Sequence, residues 1–153
     1  MMKFLLALPF VFCVATPAVA QTVSDCDLQA GAQSIMEPWD DHTKTFGEGA
    51  VRLAVLDTLE PAAAAMHLLV LSPPFDEVGG RQCKTIGSGN KVGFSGIRWN
   101  ALSTKYDPNV GLIFEVPVSR YDPASGGFPT GLLSFTLNQA TGKIDAVVLD
   151  DTR

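Results

Sequence analysis

Leu112-Ile113-Phe114-Glu115-Val116-Pro117-Val118 is the stretch on which the reading of the fold turns. Apolar residues stand at 112, 114, 116 and 118. A side-chain period of two belongs to a β-strand with one face in a core. Pro117, on the other face, has no N–H to give to a ladder, so the strand is expected at a sheet edge. Downstream, residues 132–138 and 143–149 read as two more strands. The loop Gln139-Ala140-Thr141-Gly142 between them ends in the glycine a hairpin favours.

Working upstream, Val51, Leu53 and Val55 alternate against Arg52 and Ala54 as far as Asp57. Residues 66–71 are apolar on both faces, which suits a central strand, and Ser72-Pro73-Pro74 closes them. Residues 81–86 and 93–99 make two further strands. Asn100 is placed to cap a short helical stretch over 101–105. Asp107-Pro108 and Asp122-Pro123, each followed three residues after the proline by glycine (Gly111, Gly126), are turns. In each, the carboxylate bonds nearby N–H groups and the glycine permits positive φ. One carboxylate per loop is too few for calcium, which takes six to eight oxygens.

No segment of 10–15 residues with helical period lies between consecutive strands, so parallel βαβ units are excluded. One helix is expected, over residues 22–37. Ser24 or Asp25 would cap it, and Leu28, Ala32, Ile35 and Met36 recur at helical spacing before Pro38 stops it. The expected fold class is therefore α+β: a mainly antiparallel sheet of about seven short strands, with the N-terminal helix packed on one face. A small β-barrel with a helical lid is the alternative.

The chain has 153 residues, and its first 20 read as a secretory signal peptide. Lys3 supplies the positive start, residues 4–15 the apolar region, and Ala18-Val19-Ala20 the cleavage site. The apolar run is too short for a membrane span of about 20 residues. Phe10-Val11-Phe12 are too bulky for lipidation at Cys13. Residues 21–153 then form a single exported domain. Cleavage removes Cys13 and leaves Cys26 and Cys83. An even pair in an exported chain, with no C-x-x-C, reads as one disulfide.

Eleven basic and sixteen acidic side chains give a net charge of −5, one unit more negative without Lys3. A nucleic-acid binder relying on a strong positive field is excluded on that balance, and no membrane span is expected after cleavage. The densest polar cluster is Glu37-Pro38-Trp39-Asp40-Asp41-His42-Thr43-Lys44-Thr45-Phe46. His42 with Asp40 or Asp41 is the one candidate for acid–base catalysis. A solvated connection between two elements explains the same residues. His67 lies in an apolar strand with no acid or nucleophile beside it in sequence, so it is read as a hydrogen-bonded core or edge residue. Two histidines 25 positions apart and a pair of oxidised cysteines make no zinc site. There is no G-x-S-x-G elbow, and Gly87-Ser88-Gly89-Asn90-Lys91 lacks the spacing and the following helix of a phosphate loop. No cofactor is implied. Trp39, Phe75 and Arg81 are residue types that dominate binding hot spots and could form a partner-facing patch.

Glu37-Pro38-Trp39, His42-Thr43-Lys44-Thr45-Phe46, residues 51–57, Leu68-Leu69-Val70-Leu71-Ser72-Pro73-Pro74 and Gly80-Arg81-Gln82-Cys83 together resemble a group of uncharacterised secreted proteins of alphaproteobacteria. The resemblance covers the N-terminal half of the mature chain. It implies a Gram-negative periplasm and transfers no activity to any residue. The expected function is a non-enzymatic binding or accessory module, whose partner is another periplasmic protein or a small molecule. A small hydrolase or isomerase built on His42, or a carrier of a small apolar ligand, are the alternatives.

Overall fold

A computed structural model describes residues 19, 20, 22–89 and 91–150. The expected leader falls outside these residues except for its last two. The described strands are β1 (Val19–Ala20), β2 (Thr22–Asp25), β3 (Thr43–Phe46), β4 (Val51–Asp57), β5 (Met66–Phe75), β6 (Arg81–Gly87), β7 (Gly96–Ile97), β8 (Ser103–Asp107), β9 (Gly111–Ser119), β10 (Thr130–Leu137) and β11 (Ile144–Asp150). They form a five-stranded sheet, β2-β6-β5-β4-β3, and a six-stranded sheet, β1-β11-β10-β9-β7, in which β8 also pairs with β9. Every ladder is antiparallel.

The two sheets face each other across one core. The five-stranded sheet contributes Val51, Leu53, Val55, Leu68, Val70 and Ile86, and the six-stranded sheet Leu112, Phe114, Val116, Val118, Leu133, Phe135, Leu137 and Val148. Phe114 is fully buried at the centre. Its ring stacks on Phe135 at 4.8 Å and meets Phe46 edge-on at 5.0 Å. The expected period of two holds along β9, where 112, 114, 116 and 118 are buried and their neighbours half-buried. The barrel alternative is not what forms: both sheets are open.

The predicted helix over 22–37 is corrected outright. Residues 22–25 are strand β2, paired with β6, and two short 3-10 turns follow, Leu28–Ala30 and Ala32–Ser34. The apolar residues of this segment do not share one stripe. Val23 and Met36 pack on the inter-sheet core, whereas Cys26, Ala30 and Ile35 pack on the opposite face of the five-stranded sheet. Leu28, which the helical reading would bury, is 93 % exposed. A helix cannot serve both faces of a sheet, and Gly31, extended at the junction of the two turns, breaks the period. The segment is instead a strap. It is tied at one end by Cys26 N–H to the Cys83 carbonyl (3.2 Å) and at the other by Met36 N–H to the Val55 carbonyl (2.9 Å). The one described α-helix is a single turn, α1 (Trp39–His42).

Pro117 does not mark an edge. β9 pairs with β10 on one side and with β7 and β8 on the other. Arg98 N–H donates to the Pro117 carbonyl (2.9 Å), so that residue's backbone polar edge faces the β7–β8 side. There the neighbouring chain leaves the sheet between Ile97 and Ser103 as the 3-10 turn Trp99–Ala101. The missing N–H falls opposite that excursion and costs no ladder bond. The same excursion shortens the strand expected over 93–99 to β7 and turns the helical stretch expected over 101–105 into β8. β5 runs on through Pro73 and Pro74 to Phe75, with a register shift after Ser72.

Candidate functional site

The disulfide expected from the cysteine count is present, joining Cys26 to Cys83 with Cα atoms 5.4 Å apart. It fastens the strap to β6 on the outer face of the five-stranded sheet. Beside it, on the same face, the alternation of β5 and β6 sets out a row of side chains. Leu69 stands opposite Thr85, and Ser24 pairs with Thr85 from β2. One step along, His67 follows from β5, Gly87 from β6 and Thr22 from β2.

Two walls rise from this floor. One is the strap, where Asp27 caps the first 3-10 turn by accepting from Gln29 N–H at 2.9 Å. The other is the loop after β6. Ser88 N–H donates to the Val92 carbonyl at 2.9 Å and Gly93 N–H to the Ala64 carbonyl at 2.9 Å, and Phe94 and Met66 exchange both backbone bonds. This holds Lys91 and Val92 over the floor. The space enclosed is about 310 Å³, lined by Thr22, Ser24, Asp25, Cys26, Asp27, Gln29, His67, Thr85, Gly87, Lys91 and Val92.

His67 is the centre of this site. It is 6 % exposed, and no hydrogen bond ties its ring to another described residue. Two glycines form its slot: a Cβ on Gly87 would lie 3.1 Å from Nδ1, and one on Gly93 2.9 Å from Nε2. Burial lowers the imidazole below its ordinary value of 6.5, against the opposing pull of the Asp27 carboxylate. The ring is therefore neutral at pH 7, with one nitrogen an acceptor and the other a donor.

The charges around the ring are arranged unevenly. Asp25 is paired with Lys84. Asp27 and Lys91 also line the space, yet neither takes part in an ion pair among the described residues, with each other or with anything else. No group of three or more His, Cys, Asp or Glu side chains among the described residues is placed to hold a metal ion. His67 has no acid beside it in sequence. Asp27 is 40 positions away and arrives through the strap. The only local signal was a histidine within an apolar strand.

The other residues singled out from sequence lie elsewhere. His42 ends α1, and its Nδ1–H donates to the Pro38 carbonyl at 3.0 Å. Asp40 and Asp41 are exposed in the same turn, and neither carboxylate bonds to the ring. His42 borders a shallow hollow with Arg98, Trp99 and Asn100. Trp99 is 4 % exposed, its Nε1–H has no hydrogen-bond partner among the described residues, and Lys44 lies 5.2 Å over its ring. Phe75 and Arg81 face each other as register partners at the end of β5 and β6, and Arg81 donates to the Gly49 carbonyl at 2.9 Å. Trp39 stands at the opposite end of β3, so the structure joins two members of that trio and separates the third.

Comparison with protein-family models, with curated proteins and with solved structures finds no match for this chain.

Proposed function

We propose that this chain is a small exported binding module of a Gram-negative periplasm, related to the secreted alphaproteobacterial group it resembles, and that its recognition site is the space around His67. One observation carries the reading: a neutral imidazole, 94 % removed from solvent and without a hydrogen-bond partner among the described residues, lines a space of about 310 Å³. That volume is at the small end of ligand sites. Eight of the eleven lining residues are polar or charged, beside Cys26, Gly87 and Val92, a mixture that suits a small ligand with polar groups. The disulfide and the export signal agree with each other, because disulfides persist in oxidising compartments.

The alternatives gather less support. Fully buried Leu53, Phe114 and Phe135 pack between the sheets, and no observation there favours an apolar ligand. The His42 reading needs a carboxylate on the imidazole, and Nδ1 is already committed to Pro38.

The test follows the His67 ring by NMR while small polar compounds of differing charge are added. Thr85→Leu fills the floor of the space without touching the inter-sheet core. Binding to the wild type that moves the His67 resonances and is lost in Thr85→Leu supports the site. Binding that survives Thr85→Leu and leaves the ring unmoved refutes it.

A further inference from the structure

The charges at the rim point to the chemistry of the ligand, and the argument rests on the site reading just given. Asp27 stands on the strap and Lys91 on the loop after β6, on two separate walls of one space. Each lacks an ionic partner among the described residues. The same space is lined by the neutral His67 ring and by Ser24 and Thr85. The nearby charges on other elements, Asp25 of β2 and Lys84 of β6, neutralise each other.

We infer that the site takes a small zwitterion of the α-amino-acid class, its ammonium group toward Asp27 and its carboxylate toward Lys91. An ammonium group has three N–H donors and no acceptor. The open oxygen of Asp27, the acceptor nitrogen of His67 and a floor hydroxyl supply three acceptors. A carboxylate only accepts, and the Lys91 ammonium donates to it. A ligand with a single charge would leave one of the two rim ions unmatched. The apolar part of the lining is Val92, 39 % exposed, with Cys26. That surface suits a short apolar side chain. A protonated His67 could no longer accept from the ammonium group and would repel it, so acid weakens binding. The other ionisable groups that line the space are Asp27, Asp25 and Lys91.

The experiment titrates the whole protein with L-alanine, propylamine, propionate and glycerol, read by the His67 resonances and by calorimetry. The zwitterion is expected to bind at least tenfold more tightly than either single-charge compound. Asp27→Asn keeps the side-chain oxygen that caps the turn. It should lower L-alanine affinity about tenfold and leave propionate unaffected, and Lys91→Gln should do the converse with propylamine. His67→Gln should remove the loss of binding in acid. If propylamine or propionate matches L-alanine, or if only glycerol binds at the ring, the zwitterion assignment falls while the site stands. If no compound moves the ring, both fall.

Discussion

Replacing Cys26 and Cys83 together with alanine tests how the strap is held. The bridge spans 57 positions of sequence. The chain-entropy model assigns a loop of that size about 4 kcal/mol of destabilisation in the unfolded state. A domain's whole stability is about 5–15 kcal/mol. At about 2.1 cal/mol/K of unfolding entropy per residue, the expected fall in Tm is about 15 °C. The second effect is local. Cys26 stands between Asp25 and Asp27, and beyond the bridge the strap's apolar hold on the outer face comes from Ala30 and Ile35 against Ala54, Leu56 and Leu69. Without the bridge, amides of residues 26–34 should exchange with solvent before the β4, β5 and β9 amides, which lie in the core ladders. The assay is thermal and guanidinium unfolding of the wild type and the double variant, with hydrogen exchange on both. A Tm within about 3 °C of wild type, with strap exchange unchanged, would refute the reasoning. It would mean that the apolar contacts hold the strap unaided and that the unfolded chain is already compact.

Four further outcomes are expected. His67 is less basic folded than unfolded, so the unfolded chain takes up the proton first. Stability is then fully present above about pH 6.5 and falls as pH drops from there toward the folded value; His67→Gln should flatten that part of a stability–pH curve. Gly93→Ala would bring a Cβ to 2.5 Å from the Met66 carbonyl and 2.6 Å from that of Ala64. It should cost about 1–3 kcal/mol in denaturant unfolding and shift the His67 resonances as the loop moves off β5. Phe114→Ala removes a fully buried ring that touches two others and should cost about 3–5 kcal/mol, read from the guanidinium midpoint. The Ser125 hydroxyl, with the backbone N–H of Ala124, holds the Asp122 carboxyl below its ordinary value. Ser125→Ala should raise it in a carboxyl NMR titration, and an unchanged titration would show that the backbone bonds suffice.

Much of the β architecture was legible because it is local. The alternation at 112, 114, 116 and 118 and at 51, 53 and 55 expresses the pleat directly, and burial follows it. The Asp107 and Asp122 turns form within a few residues, with Oδ1 accepting from Asn109 N–H at 2.8 Å and from Ala124 N–H at 3.0 Å. Gly142 has φ 74, as the hairpin reading of 139–142 required. The cysteine pairing followed from arithmetic once a leader was assumed.

What sequence could not show depends on which surfaces meet. The spacing of Ile35 and Met36 suits a helix in isolation, but each faces a different side of one sheet, and only that sheet's presence divides them. Pro117 argues for an edge under the general rule. It sits inside because the neighbouring segment, Trp99–Ala101, turns out of the sheet at that point. The candidate site is the plainest case. The sequence by itself determined the apolar-patterned strands β4, β5, β6, β9, β10 and β11, the Asp-Pro turns, the cysteine count and the net acidity, since each is read from residues close along the chain or from composition. Only the tertiary structure decided that Asp27, His67 and Lys91 border one space. The Cys26–Cys83 bridge and the β2–β6 ladder carry the strap across β5, and backbone bonds fold the loop after β6 onto Ala64 and Met66. Such contacts join positions tens of residues apart, and no period or spacing in the chain encodes them.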